Sequence, residues 1–309
     1  MYQAVALLGV IAVGWFLVSN TLDNLSNRGI VTGFGFLERP ASFAIGEVLA
    51  EYSPADTFAR ALYIGLLNTL FVSALGIVLA TLLGATIGIA RLSPNWPVRV
   101  IAGGYVEMVR NVPLLLQLFL WYALITQGLP GPREAIRLLP GVFLSNRGLV
   151  VPWFGPDGFT APHLAGFNFQ GGAAISPELA ALLFGLSVYT AAFIAEVVRG
   201  GILAVPKGQT EAALSLGLSR RQALRFVILP QALRIIVPPL SSQYLNLLKN
   251  SSLAVAIGYP DLVSVANTAI NITGQAIEGF AIVMAVFVAI SLALSALMNW
   301  YNRRIAVTR

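Results

Sequence analysis

The stretch SSQYLNLLKNSS, residues 241–252, places a lysine beside two serines inside an apolar run. Lys249, Ser251 and Ser252 are the residue types of a Ser–Lys hydrolase, in which an amine deprotonates a hydroxyl nucleophile. The spacing argues against it. Lys249 is only two or three residues from the serines, and at a separation of two helical side chains diverge. Nothing nearby suggests an oxyanion hole. Binding of a zwitterion suits the same groups better. Lys249 can meet a carboxylate, and Asn250, Ser251 and Ser252 can hydrogen-bond a carboxylate or an ammonium. Gln243, Asn246, Lys249 or Asn250, and Leu253 fall on roughly one helical stripe. This much polarity cannot face lipid, so it faces protein or a water-lined passage. A polar seam against a partner subunit is the alternative. Pro238-Pro239 is expected to break the helix, and broken helices often bind solute near the membrane midplane.

Two further pairs repeat an i,i+3 spacing. Glu107 and Arg110 can form an ion pair on one helix face. Asn111-Val112-Pro113 follows, and the proline removes a backbone donor and loosens the helix. This site reads either as a substrate path or gate, or as a structural brace. Glu196 and Arg199 precede a basic segment and read as a brace. Glu278 opens the last apolar run and is expected at its outer interface without a chemical role. Cysteine is absent, which removes disulfides, thiol catalysis and Cys-ligated metal. The single histidine, His163, lies in a Pro/Gly-rich stretch and is read as a solvated side chain.

These residues sit in a chain built for a bilayer. Of its 309 residues 57% are hydrophobic and 10% charged, against about 25% charged in soluble proteins. The mean hydropathy is +0.79. Several apolar runs approach or exceed the roughly 20 residues that cross a membrane. Six spans can be drawn, at 4–18, 61–90, 100–127, 177–198, 231–257 and 280–301. The first lacks a basic leader and a small-residue cleavage site, so it is read as an uncleaved helix. The expected fold is all-α and polytopic.

Charge sets the orientation. Arg91, Arg99, Arg199, Lys207, Arg220, Arg221, Arg225, Arg303, Arg304 and Arg309 fall on one side if the spans alternate. Arg28, Arg39, Arg60, Arg133, Arg137 and Arg147 fall on the other. The excess marks the cytoplasmic side, which puts both termini inside. The net charge of +6 is thereby read as loop asymmetry, with no nucleic-acid partner. Residues 128–176 form a long external loop rich in Gly, Pro and aromatics.

The cytoplasmic stretch TEAALSLGLSRRQALRFVILPQALR, residues 210–234, reads as two short helices. Gly217 stands where a left-handed C-cap is favoured. Ser219 with Gln222 forms a capping box for the second. Ala212, Ala213 and Leu216 are expected to share one flat face that another protein can approach. A helix lying on the membrane surface is the competing reading.

Glu211-Ala212-Ala213, then Gly217, then Ile228-Leu229-Pro230, resembles the EAA loop of ABC importer permeases. GLLNTLFVSALGIVLATLLG, YVEMVRNVPLLLQLFLWY, AAFIAEVVRGGI and LKNSSLAVAIGYPDL are similar to the polar amino-acid branch of that family. The resemblance covers residues 61–304. It implies a five-helix type I importer core plus an extra N-terminal helix. The implied organisation is a helix and external loop over 1–60, a core over 61–304 with an insertion at 128–176 and a coupling loop at 200–229, and a tail at 305–309. It implies a non-enzymatic permease in the inner membrane that passes amino acids. The loop would couple it to an ATPase dimer through Glu211, Ala212, Ala213, Leu216, Gly217, Arg220 and Arg221. Glu107, Arg110, Asn111, Gln243, Asn246, Lys249, Asn250, Ser251 and Ser252 are the candidates for the path. No G-x-x-x-x-G-K-[ST] loop is present to cradle phosphates. ATP and Mg would be bound by the partner ATPase. A second permease subunit, expected to be a related hetero-partner, and an external substrate-binding protein complete the implied assembly. A passive channel would leave the coupling pattern without a purpose.

Overall fold

A computed structural model describes residues 2–27, 32–155 and 158–305. Arg28, Arg309 and residues 306–309 of the tail lie outside the described residues. Ten α-helices carry the described chain: α1 Tyr2–Asn27, α2 Phe58–Ala90, α3 Trp96–Asn111, α4 Leu114–Gly128, α5 Pro177–Leu203, α6 Lys207–Ser215, α7 Arg220–Ala223, α8 Leu229–Asn250, α9 Leu262–Thr273 and α10 Ala276–Ile305. Four runs are long and apolar enough to cross a membrane unbroken: α2, α5, Arg220–Ile257 and Ala276–Arg304. The α3–α4 pair makes a fifth, bent by 105°. The expected count of six is met only if α1 is added, whose apolar stretch Val5–Thr21 is shorter than these. The α1 side chains Val5, Leu8, Ile11 and Trp15 are all exposed, as a lipid-facing helix requires.

The α2–α5 pair is the spine. Both start with a side-chain N-cap: Thr57 accepts from the Arg60 N–H and Ser176 from the Leu179 N–H. Along α2 the buried positions Gly76, Ala80, Gly84 and Gly88 recur every four residues. Such a small-residue ridge lets two backbones approach within a membrane. A Cβ on Gly84 would lie 2.7 Å from the Ile194 Cβ, and one on Gly88 2.7 Å from the Ala195 carbonyl oxygen. Val72, Leu118, Leu182, Leu186 and Tyr259 form the core around the N-terminal half of α5. Ala80, Ile194, Val198, Ile236 and Leu247 form it around the C-terminal half.

The prolines of the spans act differently from one another. Pro113 separates α3 from α4 and produces the sharp bend, beyond the loosening its sequence suggests. Gln117 holds the corner: its Nε2 donates to the carbonyls of Val109 (2.9 Å) and Val112 (3.0 Å). Val109 is the residue whose usual i+4 donor Pro113 lacks. Pro238 and Pro239, by contrast, do not break α8, which continues through both to Asn250. The helix changes character elsewhere, in a π turn at Leu224–Ile228 ahead of Pro230 and a 3-10 segment at Ser251–Ile257. The wider turn relieves the clash of the Pro230 ring with the carbonyl four residues back.

The 128–176 insertion is not a bare loop. Its strands are β1 Ile136–Leu139, β2 Val142–Ser145, β3 Gly148–Val151, β4 Trp153–Gly155, β5 Gly158–Thr160, β6 His163–Ala165, β7 Asn168–Gln170 and β8 Ala173–Ile175. They form an antiparallel sheet in the order β1-β2-β3-β8 and two hairpins, β4–β5 and β6–β7. His163 pairs with Gln170 in the second hairpin. The chain otherwise remains a helical membrane protein. Residues 34–57 pack down: Phe36, Phe58, Leu262 and Val265 share a core. Glu278 is buried there and accepts from the Gly33 N–H at 2.6 Å. It anchors this segment from the first turn of α10.

Candidate functional site

The basic segment follows α5 directly. In α6 the Gly217 N–H donates to the Leu214 carbonyl and the Leu218 N–H to the Ala213 carbonyl. That pair of bonds is a Schellman closure, with Gly217 at φ +83° in the left-handed position. Nothing lies within 4 Å of a Cβ built on Gly217. The glycine is thus required by its backbone rather than by a close neighbour. Ser219 and Gln222 make both bonds of the capping box. Ala213 is buried whereas Ala212 and Leu216 are exposed, Leu216 by 83%. The three do not share a face: Ala213 roots the helix, and Ala212 and Leu216 belong to its open surface with Glu211. Arg220 and Arg221 are exposed on α7.

The root of this segment is braced by charge. Glu196 on α5 accepts from Arg199, as its spacing suggested, and also from Arg91 at the end of α2. One carboxylate thereby ties the end of α2 to the last turns of α5. The Arg91 contact was not read from sequence, because its partner is 105 residues away.

On α8, Asn246 and Lys249 are exposed along the span, with Gln243 and Asn250 half-buried. Lys249 and Ser252 line a cavity of about 420 Å³ with Val263, Val283, Phe287 and Ser291 of α9 and α10. Ser251 points away from it. Its side chain is buried, accepts from Ser73 of α2 at 3.3 Å and donates to the Leu248 carbonyl at 2.7 Å. Ser252 donates to the Lys249 carbonyl at 2.7 Å. Ser251 braces helices, and no serine hydroxyl engages the Lys249 amine among the described residues.

The α3 candidates are not gathered at that cavity. Glu107, Arg110 and Asn111 are exposed. The expected Glu107–Arg110 ion pair is absent among the described residues; the Arg110 guanidinium lies 5.1 Å from the Phe193 ring centroid instead. The aromatic face supplies a cation–π contact that competes with the carboxylate.

A buried polar joint escaped the sequence reading. Asn68 of α2 is fully buried and its Nδ2 donates to the carbonyls of Glu47 and Pro260, each at 2.9 Å. Asp261 caps α9, accepting from the Ser264 N–H at 2.8 Å, and its other oxygen has no hydrogen-bond partner. Burial pushes the Asp261 carboxyl up to about 7. A Pro-Asp before an apolar run is a cap signal, but its burial against α2 depends on packing.

Comparisons with known proteins place this architecture. Residues 76–307 match the family model described as the binding-protein-dependent transport system inner membrane component. The putative amino-acid ABC transporter permease protein YhdX of Escherichia coli (strain K12) is 47% identical, covering 99% of this chain and 94% of that one. The general L-amino acid transport system permease protein AapQ of Rhizobium johnstonii is 40% identical over 99% and 92%. Among solved structures, an amino acid ABC transporter crystallised with histidines superposes with a TM-score of 0.61 at 28% identity, over 80% of this chain and 95% of that one. The chain belongs to the binding-protein-dependent transport system inner membrane components, as a permease subunit of the amino-acid branch of ABC importers.

Proposed function

We propose that this permease passes amino acids delivered by an external binding protein, and that the 208–229 segment seats on a separate ATPase dimer that binds ATP and Mg. The observation that carries the coupling assignment is the knob made by α6: Glu211, Ala212 and Leu216 are exposed on a helix whose end is locked by Gly217. The names of the relatives support the substrate class. The exposed Asn246 and Lys249 on α8 support a path completed by a second, related permease, since such groups do not face lipid. The basic segments between spans support a cytoplasmic location for both termini.

Gly217→Val and Glu211→Arg test the coupling. Uptake of radiolabelled amino acids should fall while the protein still inserts and ATP hydrolysis loses its dependence on the binding protein. Undiminished pull-down of the ATPase with normal uptake in both variants would refute the assignment. Orientation is read separately, because the chain has no native cysteine. Ser93→Cys and Ser219→Cys should resist an impermeant thiol reagent in intact cells. Reaction of both positions in intact cells would reverse the orientation.

A further inference from the structure

A cavity of about 500 Å³ lies behind the coupling segment, between the last turn of α5, α6 and the π turn. Ile202, Leu203, Val205, Leu214, Leu224 and Ile228 form an apolar wall. Lys207 and Arg220 line its polar side, and among the described residues no carboxylate lines it. Neither cation is in an ion pair among the described residues. The wall is open, with Leu203 exposed by 59% and Leu224 by 43%.

We infer that this cavity binds an anionic phospholipid of the cytoplasmic leaflet. Three observations converge. The first is depth: Leu203 ends an apolar membrane span and Lys207 opens the helix that follows, so the cavity stands where α5 leaves the bilayer. The second is chemistry. Two unneutralised cations beside an apolar wall fit a ligand with a phosphate and a hydrocarbon body, and basic pockets at this level recognise anionic headgroups. The phosphate sits between Lys207 and Arg220, with an acyl segment along Leu203, Leu224 and Ile228. The third is charge asymmetry, since an acidic side chain from the ATPase would gain from the cations but leave the apolar wall bare to water. Arg220 then faces the lipid pocket and leaves the contact with the ATPase to the exposed knob. Occupancy fills the space behind α6 and stiffens its seat. This inference rests on the cytoplasmic placement of the segment.

The test uses the full-length permease in nanodiscs. Thr210 lines the cavity, and Thr210→Cys is the single labelling site for a fluorophore. Nitroxide-labelled phosphatidylglycerol should quench it several-fold more than nitroxide-labelled phosphatidylcholine. The double substitution Lys207→Gln with Arg220→Gln should abolish the preference, while Arg303→Gln with Arg304→Gln at the end of α10 should keep it. Equal quenching by the two lipids would overturn the inference, as would a preference that survives the Lys207/Arg220 change. So would displacement by inorganic phosphate, which would mark a free-anion site, or loss of quenching when the ATPase binds, which would assign the cavity to that partner. Failure of the coupling assignment would appear instead in the Gly217→Val uptake assay, with the quenching preference intact. Reaction of Ser219→Cys with an impermeant reagent would expose an error of orientation.

Discussion

Arg91, at the end of α2, and Arg199, on α5, share the single carboxylate of Glu196. The brace joins the two longest-packed helices one turn before α5 gives way to the basic segment. Glu196→Gln removes the charge and keeps the shape. Two charge-assisted bonds weaken together, and because the groups are partly solvated the expected loss is about 1–2 kcal/mol. The melting temperature of the detergent-solubilised protein reads it. In a double-mutant cycle, Arg91→Met should have a smaller effect in the Glu196→Gln background than alone. Strict additivity would show that the pair does not interact.

The glycine ridge of α2 gives a prediction whose sign depends on position. Gly84→Ala inserts a Cβ at 2.7 Å from Ile194 and must push α2 off α5. Overpacking of this kind is destabilising by about 1–3 kcal/mol. Gly103→Ala on α3 meets nothing within 4 Å. There the better helix propensity of alanine should stabilise the fold by up to about 1 kcal/mol. Melting temperatures moving in the same direction in both variants would contradict the packing.

Asp261 makes stability depend on pH. It lies in the turn before α9, outside the membrane spans. A free aspartate titrates near 4, whereas burial raises Asp261 to about 7. The folded chain therefore holds this proton more tightly than the unfolded chain. The stability linked to it is complete below about pH 4 and is lost as pH rises through about 7. Asp261→Asn keeps an N-cap oxygen for Ser264 and removes the ionisation. Between pH 5 and pH 8 the melting temperature of the wild type should fall relative to the variant. Parallel pH profiles would place the titration elsewhere.

What was legible in the sequence was local. Gly217, Ser219 and Gln222 formed their caps because each bond spans at most five residues and its geometry follows from residue type. The bend at Pro113 was legible as a weakness, but its size depends on Gln117, whose amide replaces the missing donor. That partner sits four residues on and could have been sought as the acceptor's only nearby remedy. Pro238 and Pro239 misled, because neighbouring helices can support a helix through prolines in a membrane. The strands of the 128–176 insertion were too short, at three or four residues each, for period-two patterning to register. The roles of Ser251, Glu278 and Arg91 were hidden for one reason: each is set by a partner more than 100 residues away.

Lys249 carries the last prediction. Its ammonium is exposed on the isolated chain, within a membrane span and beside a mostly apolar cavity. No carboxylate pairs with it among the described residues. A bare ammonium facing hydrocarbon is costly, so the proposed assembly would set it against the partner permease or the solute. A zwitterion entering a low-dielectric passage needs an opposite charge for its carboxylate, and on the proposed path Lys249 would supply one. Lys249→Met keeps the length and removes the charge. Loss of one charge-assisted bond, worth about 1.5–3 kcal/mol, corresponds to a fall in uptake of roughly tenfold or more. Lys249→Arg should restore part of the rate, because its planar guanidinium needs more room than an ammonium. Co-purification of the ATPase should be unchanged in both variants, separating a passage defect from a folding defect. Wild-type uptake by Lys249→Met at normal expression would remove the lysine from the path and leave it as part of the seam between subunits.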